Sequence, residues 1–130
     1  MTREEEMLHL NNMAIEIDQI AGYTEDMDYE DFTSSEETRE IVNRSLKNIG
    51  EAADMLRSND DWMRKYPDLS LDVLARLRET SYEAPLEMDQ HGVWGIVSKD
   101  LREIKECIYA AQEKLERLEA DDEDIGNTTV

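Results

Sequence analysis

Apolar residues recur at steps of three and four along the first half of the chain, the spacing of one buried face on an amphipathic helix. The first such stretch covers residues 4–21 and is predicted to end at Gly22. A second stretch runs to Leu56 and starts with a capping-box pattern formed by Ser34 and Glu37. The pattern therefore predicts two core-facing helices in this half.

The second half carries two more helical patterns, which are separated by a proline. Ser70 is positioned to cap a helix that extends to about Tyr82, and Pro85 disfavours helical backbone at the residue before it. The longest pattern begins at Asp89 and alternates steps of three and four as far as Leu118. Because no stretch alternates like a β-strand, we predict an all-α fold, an antiparallel bundle of about four main helices with short connecting helices.

Two acidic segments fall outside these helical patterns. Residues 23–35 are predicted to form a loop or short turn whose Tyr29 and Phe32 dock on the bundle. Residues 121–130 begin with four acids and lack periodicity, which favours a disordered, solubilising tail. We therefore predict one helical domain over residues 1–120, followed by this acidic tail.

The charge balance restricts the possible partners. The 130 residues include 33 Asp and Glu but only 14 Lys and Arg, which gives a net charge of −19 at pH 7. An acid-rich, Lys-poor composition is typical of salt-loving archaea, in which high salt screens the repulsion within the protein. Nucleic-acid phosphates are bound largely through Lys and Arg, so RNA binding is disfavoured for this acidic protein. It would require a locally basic region of the surface.

The cellular compartment is indicated by cysteine usage and by the N-terminal residues. Cys107 is the only cysteine, which excludes an intramolecular disulfide and is typical of a reducing environment. Residues 4–6 are glutamates where a secretory signal would carry basic residues, and no apolar run approaches the roughly 18 residues of a membrane span. We expect a cytoplasmic protein that does not bind membranes.

The residues that most often carry chemistry form no recognisable site. His9 and His91 lie on different predicted elements, and neither has a His or Cys partner four residues away, so no metal is expected. A glycine-rich phosphate loop is absent from the sequence, and no cofactor is predicted. Residue chemistry alone predicts only a soluble, acidic helical bundle.

Four segments in order along the chain carry a family resemblance: "DYEDF", "NIGEAADML", "YPDLS" and "GVWGIVSKDL". Together they resemble the HepT-like branch of the HEPN domains, small helical ribonucleases, over about residues 4–118. The resemblance implies metal-independent RNA cleavage by an arginine and a histidine, followed by a tyrosine two residues after the histidine. Active members resemble toxins that pair with a small nucleotidyltransferase (MntA-like) antitoxin, which places AMP on that tyrosine. Two protomers usually share one catalytic cleft.

Carried onto "RETSYEAP", the motif is degenerate. Its arginine falls on Arg78, and Glu79 stands where the family usually has asparagine or aspartate. The histidine position falls on Glu83 and the tyrosine position on Pro85. An ordinary glutamate, with a pKa of about 4.3, does not replace the proton transfer of an imidazole near neutral pH. Arg78 is therefore interpreted as a retained motif residue and Glu83 as an inactive replacement.

Three functional hypotheses remain open. The leading one is a HepT-like protein that has lost ribonuclease activity and acts by association, as a homodimer, with a nucleotidyltransferase partner, or both. The second is an active metal-independent endoribonuclease toxin with a rearranged site, in which His91 or Glu83 takes the role of the histidine. The third is a structural helical subunit. Self-association is expected to cover apolar edge residues such as Val93, Ile96 and Tyr109.

Overall fold

The computed structural model describes residues 1–75, Leu77 and residues 93–128, with side chains described as far as Leu118. Its helices are α1 (Arg3–Thr24), α2 (Tyr29–Ser34), α3 (Glu36–Arg57), α4 (Trp62–Lys65), α5 (Leu71–Ala75) and α6 (Leu101–Thr128), with a π-helical segment at Ile96–Asp100 directly before α6. No residue in these ranges belongs to a β-strand. The predicted all-α helical fold is confirmed.

The hydrophobic core lies between three long helices and the short α5. Helix α1 packs against α3 and α6, and α3 packs against α5. Each helix turns its apolar stripe inward, as the three- and four-residue spacing predicts. The largest fully buried side chains include Leu10, Met13, Ile20, Phe32, Leu46, Ile49, Leu56, Leu71, Ile108 and Leu115. Burial of each is worth about 1.5–3 kcal/mol, and this term holds the helices together.

The end of α1 was predicted too early. The helix continues through Gly22 to Thr24, whose Oγ1 donates a hydrogen bond to the carbonyl of Ile20 at 2.8 Å. A single glycine inside a helix costs only about 1 kcal/mol, so it does not end a helix that packs on its neighbours. The segment predicted as a loop contains α2, and its Phe32 is buried in the core as expected.

The capping box predicted for α3 is also wrong by one residue. Ser35 is the N-cap and accepts a hydrogen bond from the Thr38 amide at 3.2 Å, whereas Ser34 Oγ donates to the carbonyl of Glu30 in the last turn of α2. A reciprocal capping box occurs instead at the start of α2, between Asp28 and Asp31. The hydroxyl of Ser34 is already engaged by α2, which leaves Ser35 to begin α3.

The last helix differs from its prediction at its far end. It extends to Thr128, so the tail predicted to be disordered from residue 121 is largely helical in the structure. From residue 101 to 125 the sequence has neither proline nor glycine, and each further residue that joins a helix adds a hydrogen bond. The predicted end of the third helix at Tyr82 and the predicted start of the fourth at Asp89 lie outside the described residues.

The edge residues expected to be covered by association differ in burial. Val93 is 5% exposed and belongs to the protomer's own core, which contradicts the expectation for this residue. Ile96 is half-buried against the core, and Tyr109 is 44% exposed. In the part of the chain that the structure describes, no helix is long and apolar enough to cross a membrane.

Candidate functional site

The motif residues named from the sequence, Arg78, Glu83 and Pro85, lie outside the described residues, as does His91. The structure describes the helix that leads to them. Leu71, Leu74 and Leu77 are buried in the core. Helix α5 packs against α3, and Leu77, the residue directly before Arg78, is also part of the core.

A buried ionic cluster, which we call the Glu6 clasp, ties α1 to the connector between α3 and α5. The side chain of Glu6 is only 1% exposed. Its two carboxylate oxygens accept hydrogen bonds from Lys65 Nζ at 3.0 and 2.9 Å, and Oε1 also accepts one from Asn59 Nδ2 at 2.6 Å. Charge-assisted donors on both oxygens offset the cost of removing this carboxylate from water.

Tyr66, the tyrosine of "YPDLS", is buried beside the Glu6 clasp. Burial raises the pKa of its phenol, and the negative charge of Glu6 raises it further. On the other side of the connector, Lys114 Nζ of α6 donates to the carbonyl of Lys65 at 2.8 Å. The connector into α5 is thus anchored to both α1 and α6.

A groove of about 520 Å³ lies between the C-terminal part of α1 and the segment from Trp94 to Lys105. We call it the α1–α6 groove. Its wall is apolar where Ile17, Val97 and Leu101 contribute side chains. Small-molecule sites usually have volumes of about 300–1,000 Å³ and a mostly apolar lining with a few polar groups. The volume of this groove falls in that range, and polar and apolar groups contribute almost equally to its lining.

The polar rim of the α1–α6 groove is formed by Arg102, Lys105, Ser98 and Glu25. Lys105 forms an ion pair with Asp18, and the hydrogen bond within this pair raises the pKa of Lys105. The ammonium group of Lys105 also lies 5.5 Å from the centroid of the Tyr109 ring, one turn later in α6. The two cations on this rim therefore stand beside two carboxylates, since Asp18 pairs with Lys105 and Glu25 lies on the same rim.

Trp94 and the π-helical segment shape one side of the same groove. The ring of Trp94 lies 5.3 Å from that of Phe32, with an interplanar angle of 33°. Ser98 Oγ donates to the carbonyl of Trp94 at 2.6 Å within this irregular stretch. Short π-helical turns inside α-helices occur frequently at functional sites. The opposite side contains Gly22, where an added Cβ would meet no atom of the described residues within 4 Å.

A second depression, of about 360 Å³, lies on the outer side of α1 and α3 and includes His9. Leu8, Ile15 and Met55 are exposed large apolar residues on these two helices, and we call them the α1–α3 surface. Leu8 and Ile15 are seven residues apart and therefore share one face of α1. His9 is half-buried, and the described residues contain no group of three or more His, Cys, Asp and Glu that fits a metal ion.

Sequence reasoning missed both the Glu6 clasp and the polar rim of the α1–α6 groove. A signal for the clasp was present, because Glu6 precedes Leu10 by four residues and so continues the buried stripe of α1. For the rim, the four-residue spacing of Arg102 and Glu106 in the last helical pattern indicates only a solvated helix face. The spacing alone did not indicate that α1 lies close enough to form a groove.

The model of the family described as Ribonuclease HepT-like matches residues 13–111. "Putative RNase MJ0127" of Methanocaldococcus jannaschii is 33% identical over 93 residues, which are 68% of this chain and 75% of that protein. "Probable ribonuclease HepT" of Thermococcus cleftensis is 29% identical over 97 residues, or 75% of this chain and 86% of the relative. "Gamma-glutamylcyclotransferase and putative RNase MJ0434" of M. jannaschii is 28% identical over 115 residues, which cover 88% of this chain but 51% of that longer protein. No solved structure matches.

Proposed function

Because the chain belongs to the HepT-like ribonuclease family, we propose that it is a HepT-like protein without ribonuclease activity that acts by protein association. One observation carries this proposal: the motif that begins at Arg78 has Glu83 in place of histidine and Pro85 in place of tyrosine. A positioned acid or base typically contributes about 10² to 10⁴ in rate. An ionised carboxylate also repels the phosphate that the motif has to approach.

The replacement of the histidine by Glu83 and that of the tyrosine by Pro85 are consistent with the same loss of function. Proline has no hydroxyl, so position 85 cannot accept AMP from a nucleotidyltransferase. A protein that does not cleave RNA does not require this form of control. The role that remains is association, with a second copy of the chain, with a small nucleotidyltransferase of the toxin–antitoxin type, or with both.

Association is supported by the apolar residues that the protomer leaves exposed. Ile15 is 61% exposed and Met55 is 50% exposed, and both border the same depression between α1 and α3. Exposed apolar residues that cluster are typical of protein-binding surfaces, whereas scattered ones need no explanation. We therefore place the association interface at the α1–α3 surface.

The acidic surface supports a second part of the proposal, a cytoplasm with high salt. At −19, self-repulsion within one copy and between two copies weakens folding and association unless ions screen it. The Debye length falls from about 10 Å at 0.1 M to about 3 Å at 1 M salt. Association is therefore expected in molar KCl and should weaken on dilution of the salt.

Light scattering in molar KCl tests the association. The expected mass is twice 15.1 kDa or a larger multiple. Ile15→Glu should shift the protein towards the monomer, because it places a charge on the α1–α3 surface. Met63→Glu is the matched control, since Met63 is 68% exposed and lies on α4. A monomer that persists at all concentrations, or equal effects of the two substitutions, would contradict the proposal.

A further inference from the structure

We propose that the α1–α6 groove binds one nucleotide unit, with the base against Trp94 and the apolar wall and the phosphate between Arg102 and Lys105. This site does not involve the degenerate motif, so it requires no RNA cleavage. It adds a ligand to a protein whose proposed function is association. The nucleotide is either free or part of an RNA strand, because both present the same ring and phosphate.

The first argument is charge. Phosphate is held in proteins by charge-assisted hydrogen bonds, and arginine matches its geometry with two parallel donors. Arg102 and Lys105 stand three residues apart on α6 and therefore point to the same side of the helix. Both cations line one cavity, where Asp18 pairs with Lys105 and Glu25 also lies, so a bound phosphate competes with these carboxylates.

The second argument is the shape and chemistry of the wall. Trp94 lines the groove while its ring also packs on Phe32, and this contact holds the indole in place. Proteins that bind single-stranded nucleic acids stack the bases on aromatic side chains beside cationic ones, and Trp94 and Arg102 both line this groove. The volume of about 520 Å³ is sufficient for a small ligand.

The third argument is the local backbone. The π-helical segment Ile96–Asp100 places Val97 and Ser98 at the groove immediately before α6 begins. Gly22 lines it from α1, and among the described residues no atom lies within 4 Å of a Cβ added there. Gly22 is itself exposed in the last turn of α1.

Trp94 fluorescence in a Trp62→Phe background measures binding, since the chain has only these two tryptophans. The probes are AMP, adenosine, inorganic phosphate and a 5′-phosphorylated tetraadenylate. All are titrated at one salt concentration, the lowest that preserves the helical circular dichroism. Saturable quenching by AMP indicates a free nucleotide, and quenching by the tetraadenylate alone indicates an RNA strand. Either result supports the site, provided that adenosine and phosphate bind more weakly.

Two Arg→Gln variants on the same helix provide the matched comparison. Arg102→Gln should weaken binding at least about tenfold, because a charge-assisted contact to phosphate is lost. Arg117→Gln makes the same change in charge about 22 Å further along α6 and should alter binding less than twofold. Glu25→Gln removes a carboxylate from the rim and should strengthen binding. The proposal is overturned if no phosphate-bearing probe binds saturably, if adenosine binds as well as AMP, or if both arginine variants weaken binding equally.

Discussion

Removal of Lys65 from the Glu6 clasp should strongly destabilise the fold. In Lys65→Met the carboxylate of Glu6 stays almost fully buried and keeps the amide hydrogen bond from Asn59, but among the described residues it has no cationic partner. Breaking a buried ion pair by removing one partner typically costs about 3–5 kcal/mol. Because the Lys65 side chain is 26% exposed, water screens the pair in part, and we expect the lower end of that range, about 3 kcal/mol.

Urea unfolding at constant molar KCl, followed by circular dichroism, measures this change in the free energy of unfolding. For a chain of this length, about 3 kcal/mol corresponds to a decrease in melting temperature of roughly 10 °C. The double variant Glu6→Gln/Lys65→Met should be more stable than Lys65→Met alone, because the unpaired charge is removed together with its partner. Together with the single variant Glu6→Gln, these proteins form a double-mutant cycle that gives the coupling energy of the pair.

The control is one residue away on the same helix. Arg64 also pairs with an acid, Asp61, but at 3.4 Å and with 84% of the arginine side chain exposed. Arg64→Met should therefore cost at most about 0.5 kcal/mol. If Lys65→Met and Arg64→Met destabilise the protein equally, the clasp does not stabilise the fold as argued.

Three further predictions concern pH, thiol reactivity and salt. Since folding raises the pKa of Tyr66, the unfolded chain loses this proton first, and stability should fall by up to about 1.4 kcal/mol per pH unit above pH 10. Tyr66→Phe should reduce that slope in urea unfolding, and an unchanged slope would contradict it. Burial, and then the charge of nearby carboxylates, raises the pKa of Cys107, so iodoacetamide should alkylate it more slowly at pH 7 than it alkylates the urea-unfolded chain. Thermal melting should occur at much lower temperature in dilute buffer than in molar KCl, and equal melting temperatures would refute the halophilic interpretation.

The helices of the bundle could be predicted because their signal is repeated along each of them. Residues such as Leu46 and Ile49 recur at the helical spacing, and a stripe of this kind has few other ways to be buried. Single-residue features were less reliable. Whether Ser34 or Ser35 caps α3 depends on α2, which engages one of the two hydroxyls.

The candidate sites depend on contacts between elements that are distant in sequence, which explains why they were missed. Glu6 and Lys65 are 59 positions apart, and the pattern around each residue is that of an ordinary surface charge. The groove likewise exists only because α1 lies beside the start of α6. The motif at Arg78, in contrast, was found through family resemblance, and its structure lies outside the described residues.

The central claim, a HepT-like protein without ribonuclease activity, is tested most directly by incubating a mixed RNA pool with the purified protein in molar KCl without added metal. The natural protein is compared with Arg78→Ala, which removes the one catalytic motif residue that the sequence retains. The account predicts no cleavage by either protein, because Glu83 does not supply the proton transfer of histidine. Cleavage by the natural protein that disappears in Arg78→Ala would contradict the account and establish an active ribonuclease with a rearranged site.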